Sequence, residues 1–275
     1  MATPIGNLGD VTPRALETLQ SVDLIACEDT RVSGPFLRRF GIATPLISYH
    51  EHNAAERLPT LLEVLEQGRT LALIADAGTP LISDPGYRLV RAAQDAGHRV
   101  VSVPGPSAAI AAMSIAGLPS DRFLFAGFLP PKSAARRQAL DALKPIGATL
   151  VFYETGPRLA AMLHDAHELL GAREAAIARE LTKRHEELRR STLDALAAAY
   201  AKAPPPKGEI VVLIGPPQAA VGLSDAALDD ALRARLREVS PSVAAAELAQ
   251  ASGRPRKEVY RRALALKAEP DADAD

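Results

Sequence analysis

Residues 70–86 read TLALIADAGTPLISDPG, a leucine-rich run from Thr70 to Asp76 that breaks into a long loop of turn-forming residues. An apolar run of this length without strict alternation is a strand inside a sheet, and in open α/β sheets ligands bind beyond the carboxyl ends of such strands. A second extended run, Arg99–Pro104, leads into Val103-Pro104-Gly105-Pro106-Ser107-Ala108, again a strand, a glycine and the start of a helix. Gly and Pro punctuate ordinary connections as well. Two such loops side by side, with Asp and Thr interspersed, nevertheless make a backbone-lined ligand cleft.

Outward from this stretch the same alternation repeats. Extended runs at Asp23–Cys27, Pro45–Tyr49, Arg122–Phe128, Ala148–Glu154, Ala175–Leu181 and Glu209–Gly215 are separated by amphipathic stretches, such as the helix opened by Thr12-Pro13 and the Ala54–Gln67 run closed by Gly68. Strands alternating with helices mean an α/β fold. A break at Leu118–Arg122, after an Ala-rich helix, divides the expected domains into 1–117 and 118–217. Past Gly215-Pro216-Pro217 the strands stop, and 218–268 reads as a small all-helical domain. In it Ala244–Ala249, the turn at Gly253 and Val259-Tyr260 have helix-turn-helix spacing. The acidic tail 269–275 is expected to be disordered.

Composition narrows the function. The 275 residues carry 24% charged and 47% apolar side chains with a net charge of −1, which excludes a protein that coats nucleic acid through overall positive charge. No apolar run approaches the roughly 18 residues of a bilayer span, and Met1–Asp10 lacks the basic start and apolar core of a secretion signal. With Cys27 as the single cysteine, an intramolecular disulfide and a multi-cysteine zinc site are excluded, and a cytoplasmic location without membrane attachment is expected. The dinucleotide and phosphate-loop glycine patterns are absent. His50-Glu51-His52 lacks the helical i, i+4 spacing of a zinc pair, so no metal is expected.

Here the chain becomes recognisable. ATPIGNLGD at 2–10, LIACEDTR at 24–31, ISYHEHN at 47–53, DAGTPLISDPG at 76–86, PGPSA at 104–108, GFLPPK at 127–132, FYET at 152–155 and RELTK at 179–183 together resemble the tetrapyrrole methylase superfamily. CEDTR, YHEHN and RELTK, with the helical extension, resemble its ribosomal RNA small-subunit methyltransferase I branch. The resemblance implies two α/β domains with a cofactor cleft between them and an appended helix-turn-helix-like domain. It implies S-adenosylmethionine-dependent 2′-O-methylation of a cytidine ribose in 16S ribosomal RNA of the small ribosomal subunit, by a homodimer. One departure stands out: the branch has a full apolar strand ahead of ATP, whereas only Met1 and Ala2 precede it here. A start codon upstream of Met1 is therefore expected, with the restored strand raising soluble yield or activity.

By the same resemblance the cofactor is expected at Asp76, Ala77, Gly78 and Thr79, at Pro104, Ser107 and Ala108, and at Tyr153. The reaction is an in-line displacement in which a base is secondary to positioning, which alone supplies roughly 7–11 kcal/mol. Asp29, Glu154, Glu180, Lys183 and His185 are the candidate groups. The preferred set is Lys183, as a base of lowered pKa or as a charge stabilising the alkoxide, oriented by Asp29 or Glu180. The competing reading of Lys183-Arg184-His185-Glu186-Glu187 is solvated ion pairs. RNA phosphates are expected at Arg31, Lys132, Arg136 and Arg137 and at the C-terminal cluster Arg254, Arg256, Lys257, Arg261, Arg262 and Lys267. With only 4% aromatics, base stacking falls to rings such as Tyr49 and Tyr153. The rival readings are a methyltransferase acting on a corrin or porphyrin-like macrocycle and a non-catalytic RNA-binding assembly factor.

Overall fold

Three of the apolar runs pair in parallel, as strands buried under helices do. In the computed structural model, which describes residues 1–217 and 224–268, β1 (Leu24–Cys27), β2 (Leu46–Ser48) and β3 (Leu71–Ile74) form a sheet of order β2-β1-β3. The expected tail 269–275 lies outside the described residues. Helix α1 (Pro13–Ser21) precedes β1, and α2 (Thr30–Arg39), α3 (Ala54–Glu66) and α4 (Tyr87–Asp95) follow β1, β2 and β3 in turn. Thr12 caps α1, its side chain accepting from Ala15 N with Pro13 in the first turn, as its sequence foretells.

The expected strand at Arg99–Pro104 joins no sheet. It is separated from β3 by an apolar cavity of about 350 Å³ lined by Leu71, Leu73, Leu89, Val101 and Val103. The first residues of the chain straddle that gap: the Met1 ammonium donates to Leu73 O at 2.7 Å, and Ala2 N donates to Val103 O at 3.3 Å. Burial lowers the pKa of this ammonium to about 6.

A second sheet takes the order β4-β5-β8-β6-β7, from β4 (Phe123–Phe128), β5 (Thr149–Thr155), β6 (Glu174–Arg179), β7 (Glu187–Thr192) and β8 (Glu209–Ile214). β4 and β5 run parallel, and the remaining pairs are antiparallel. On one face α6 (Ser133–Leu143), α7 (Gly156–Leu170) and α8 (Leu193–Lys202) enclose Phe152, Leu159, Leu163, Ile177 and Val212. On the other lies α5 (Ala108–Ile115), whose Ala109, Ala112 and Met113 meet Val151, Ala178 and Val211. Thus α5, which precedes the expected 117/118 boundary, shares a core with the second sheet. Strand β7 has no counterpart among the expected runs.

By compactness the chain divides into Met1–Pro216 and Pro217–Asp275. In the latter, α9 (Asp225–Leu236), α10 (Pro241–Ser252) and α11 (Arg256–Ala268) bury Leu228, Leu232, Ala244, Ala245, Val259 and Ala263 against one another. Gly253, at φ +67°, terminates α10 in the left-handed conformation expected of a helix C-cap. Among the described residues no helix is long and apolar enough to cross a membrane.

Candidate active site

Chain crossings hold the loop after β3 in place. Thr3 and Gly78 exchange backbone hydrogen bonds at 2.9 and 3.1 Å, and Thr3 Oγ1 donates to Ala75 O at 2.9 Å. Thr79 Oγ1 donates to Pro106 O at 2.9 Å, tying this loop to the one before α5. Between them and β5 and β8 lies a cavity of about 310 Å³, lined among others by Ala77, Gly78, Thr79, Ala108 and Tyr153. These five belong to the cofactor set that the family resemblance implies. Ser107 caps α5 beside Tyr153, whereas Pro104 lines the apolar cavity next to β3. Asp76 and Ala77 line a smaller cavity of about 240 Å³ that also reaches Lys183 and Glu209.

The far wall is aromatic and acidic. Tyr153 stands edge-on to Phe125 and Phe128, with centroids 4.8 and 5.7 Å away, and its hydroxyl accepts from Ala109 N at 3.3 Å. Burial pushes the Tyr153 phenol above its ordinary pKa, so it stays protonated at neutral pH. Glu154 lines the same cavity at 2% exposure. Its Oε1 accepts from Thr155 N at 2.8 Å and faces Arg158 Nε at 3.2 Å, while its Oε2 has no hydrogen-bond partner. A buried carboxylate oxygen without a donor is costly, so a ligand bringing an N–H or a positive charge fits this wall.

Lys183 occupies the turn after β6, where Glu180 and Thr182 hold positive φ of 52° and 64°. Non-glycine residues in that region store strain and concentrate at functional sites. Lys183 Nζ donates to Glu180 Oε1 and to Glu209 Oε2, each at 2.8 Å. Burial favours the neutral amine, but the two carboxylates outweigh it and hold the pKa above that of an ordinary lysine. Lys183 is therefore held in its charged form, with Glu180 and Glu209 fixing its position. Asp29 plays another part: it caps α2 and grips Arg31, with Arg31 Nη2 2.6 Å from Asp29 Oδ2. That guanidinium, with the Arg31 amide, draws the Asp29 carboxyl down to about 2. Two contributors are placed by the sequence in the loop after β3 and at the start of the last expected strand, but with no chemical role. Glu209 starts a strand far along the chain, and Asp84 sits in the β3 loop, where burial and the neighbouring Glu28 and Asp76 push its carboxyl up to about 7. Among the described residues, no group of three His, Cys, Asp or Glu side chains is placed to hold a metal.

The candidate phosphate contacts separate into distinct environments. Arg31 is exposed but paired with Asp29, and Lys132 is exposed at the start of α6. Arg136 is 5% exposed and buried against Asp165, so its guanidinium serves the core of the second sheet and does not face a phosphate. Arg137 is half-buried on the same carboxylate. In the helical unit Arg254 pairs with Asp225 at 2.7 Å and Arg256 reaches Ser242 Oγ at 3.3 Å, whereas Lys257 and Arg261 are exposed on α11.

Comparison with known proteins accords with this layout. The family model for tetrapyrrole (corrin/porphyrin) methylases matches residues 2–197, and that for the RsmI C-terminal HTH domain matches 222–267. A protein of Mesorhizobium japonicum named ribosomal RNA small subunit methyltransferase I is 54% identical over 268 residues, covering 97% of this chain and 91% of that protein. One of the same name from Synechocystis is 46% identical over 273 residues and covers 98% of each. Among solved structures, uroporphyrin-III-C-methyltransferase from Thermus thermophilus has a TM-score of 0.56 at 21% identity over 78% of this chain and 91% of that one. Diphthine synthase has a TM-score of 0.60 at 15% identity, over 77% and 87% respectively. These two likenesses bear on the fold. Matched by both family models and by relatives about half identical along almost its whole length, the chain belongs to the tetrapyrrole methylase family, in its ribosomal RNA small subunit methyltransferase I branch.

Proposed function

We propose that this methyltransferase uses S-adenosylmethionine to methylate the ribose 2′-hydroxyl of a cytidine in 16S ribosomal RNA. The observation that carries the reading is the cavity between the Gly78 loop and the Tyr153–Glu154 wall, in a chain so similar to relatives named for ribosomal RNA methylation. S-adenosylmethionine, when bound, supplies a methyl group already activated on a sulfonium. It needs acceptors for its charges, a surface for its adenine and close backbone approach, which Glu154 Oε2, the Tyr153 ring and the Gly78 loop can offer. Asp76, Pro104 and Ser107 complete the proposed cofactor set from flanking positions.

In this reading the chain's own groups do the positioning. Lys183, kept charged by Glu180 and Glu209, stabilises negative charge growing on the acceptor oxygen. Asp29 keeps Arg31 at the surface for phosphate, and Lys132, Arg137, Lys257 and Arg261 extend that surface. We take the protein to act in the cytoplasm as a homodimer on the small ribosomal subunit or its RNA.

The test is direct. Small subunits from a strain lacking the gene are incubated with the protein and labelled donor, and the modified nucleotide is mapped. Label on a cytidine ribose of 16S RNA is expected; label on a base, or none, would overturn the reading.

A further inference from the structure

One carboxylate stands where two cavities meet. Asp84 lines the 310 Å³ cavity together with Gly78, Ala108 and Tyr153. It also lines a second cavity, of about 410 Å³, enclosed with Tyr49, Glu51, Gly86, Tyr87 and Arg88. Among the described residues it is the single member common to both walls. The methyl passes from one site to the other, so the acceptor oxygen must lie where the two meet, and a base for its proton must stand at that junction; among the described residues Asp84 is the one carboxylate there.

The loop fixes that position at a conformational cost. Leu81 and Ser83 hold φ of 71° and 64°, a region disfavoured for side chains other than glycine. Gly86 sits at φ +137°, and a Cβ there would lie 2.6 Å from Leu73 Cδ2, so the loop is pinned onto β3 on the far side of Asp84. Such strain persists only where the surroundings enforce it, and it clusters at working sites.

The second cavity suits a nucleoside. Tyr49 is 1% exposed and its hydroxyl faces the backbone amide of Leu89, so its ring forms a wall of this cavity and is too buried to stack on a base. Tyr87, 63% exposed, offers a ring face at the rim, and Arg88 stands beside it, 3.1 Å from Glu51. Splayed nucleotides are held by ring stacking and by hydrogen bonds to their edges and sugars.

We infer that Asp84 is the catalytic residue that takes the proton from the acceptor hydroxyl, with the acceptor nucleoside seated in the Tyr49–Arg88 cavity and the methyl donor in the Gly78 cavity. The inference rests on the proposed methyl transfer and deepens it. As the hydroxyl oxygen forms its bond to the methyl carbon, its proton passes to an Asp84 oxygen. The carbon–sulfur bond breaks with its electron pair going to sulfur, leaving a neutral thioether. Asp84 then returns the proton to water when product leaves.

The electrostatics agree. Burial, joined by Glu28 and Asp76, pushes the Asp84 carboxyl up to about 7, where a general base is most effective at neutral pH. Tyr153, Glu154 and Glu209 face it across the first cavity, and Tyr49, Glu51 and Arg88 across the second. The one cation among these, Arg88, is engaged by Glu51.

The experiment measures single-turnover methyl transfer to small subunits against pH at saturating donor, donor affinity by calorimetry, and the Asp84 carboxyl titration by carbon-13 NMR, assigned by its absence in Asp84→Asn. Expected are a wild-type rate that rises through about pH 7 and a carboxyl titrating in the same range. Asp84→Asn should lose about 10²–10⁴ in rate with donor affinity unchanged. Glu28→Gln should stay active with its rate limb moved to lower pH, because a neighbouring negative charge is gone. Near-wild-type rate in Asp84→Asn overturns the assignment, as does loss of donor affinity in parallel with rate. An inactive wild type would sink the functional reading instead; the titration still judges Asp84, and a midpoint in the ordinary carboxylate range rejects it.

Discussion

Arg136 and Asp165 form a buried ion pair in which Nε and Nη2 of the arginine each lie 2.7 Å from Oδ2 of the aspartate, with both side chains 6% exposed. The pair joins α6 to α7 beneath the second sheet. Breaking a buried pair from one side leaves an uncompensated charge and costs about 3–5 kcal/mol. Arg136→Ala should therefore lower unfolding free energy in urea by about that amount, while Arg137→Ala, half-exposed on the same carboxylate, should change it by about 1 kcal/mol or less. A double glutamate substitution at 136 and 137 would accordingly unfold the protein rather than report on RNA.

The same pair predicts an acid limb of stability. Burial alone would raise the Asp165 pKa, but hydrogen bonds from Arg136, Arg137 and Ser133 outweigh it and hold the carboxyl below its ordinary range. A depressed folded-state pKa gives stability that is present above the unfolded value of about 3.9 and is lost as pH falls through the folded one. Melting temperature should fall across that acid window, and less steeply in Asp165→Asn. Identical slopes would show that the ion pair does not set acid stability.

Lys183 offers a test between two chemistries. A lysine kept charged by Glu180 and Glu209 acts by its positive field, and losing one such electrostatic group costs about 10²–10³ in rate. Lys183→Met should fall that far with donor affinity retained. Lys183→Arg should keep a measurable part of the rate, since the charge survives while the two 2.8 Å hydrogen bonds are rearranged. If arginine proved as inactive as methionine, with the fold intact by circular dichroism, a proton-accepting lysine would be favoured.

The first sheet and the glycine loop are legible in the sequence because a buried parallel strand needs an apolar run and a loop needs turn formers. Strand β7 is not: ELRRST is an edge strand exposed on almost every residue, tied to β6 by Arg179–Glu187 and Arg190–Glu174 pairs at 2.9 and 3.0 Å. Polar edges carry no hydrophobic period. Arg99–Pro104 fails in the opposite sense, since it has β-branched residues but no neighbouring strand to pair with. The fate of Arg136 is partly written in its i, i+4 spacing to buried Leu140, which a charge-based reading passes over. Asp84 is opaque because its environment is made by Glu28 and Asp76, residues that only the folded chain brings to it.

Gly78 and Gly97 make a matched pair for the cofactor loop. Both have strongly positive φ, 84° and 81°, but a Cβ on Gly78 would lie 3.3 Å from Ile5 Cγ2 and 3.7 Å from Pro106 O, whereas one on Gly97 meets nothing within 4 Å. Left-handed backbone costs a side-chain-bearing residue about 1–2 kcal/mol, so both alanine variants should lose comparable stability. Only Gly78→Ala should also weaken donor binding, by about tenfold, equivalent to about 1.4 kcal/mol. Equal affinities in the two variants would remove Gly78 from the proposed cofactor site.

On α11 the basic residues divide by face, and the division is testable. Arg262 is turned inward: it pairs with Asp229 and lies 3.1 Å from Asp225 Oδ2, bracing α11 against α9. Lys257, Tyr260, Arg261 and Leu264 are exposed, and their spacing of three and four residues sets them on one side of the helix. Lys257 and Arg261 have no carboxylate partner among the described residues, so their charges are free for phosphate. Removing one cation that neutralises a phosphate should reduce the salt dependence of RNA affinity by about one unit of log–log slope. Lys257→Glu and Arg261→Glu should thus each weaken binding to a 16S RNA fragment and flatten its salt dependence, without changing the melting of the helical unit. Arg262→Ala should do the reverse, lowering that melting temperature while leaving the salt slope of the folded protein intact. If the two exposed substitutions leave both affinity and slope untouched, this face of α11 is a solvated surface and RNA is held elsewhere.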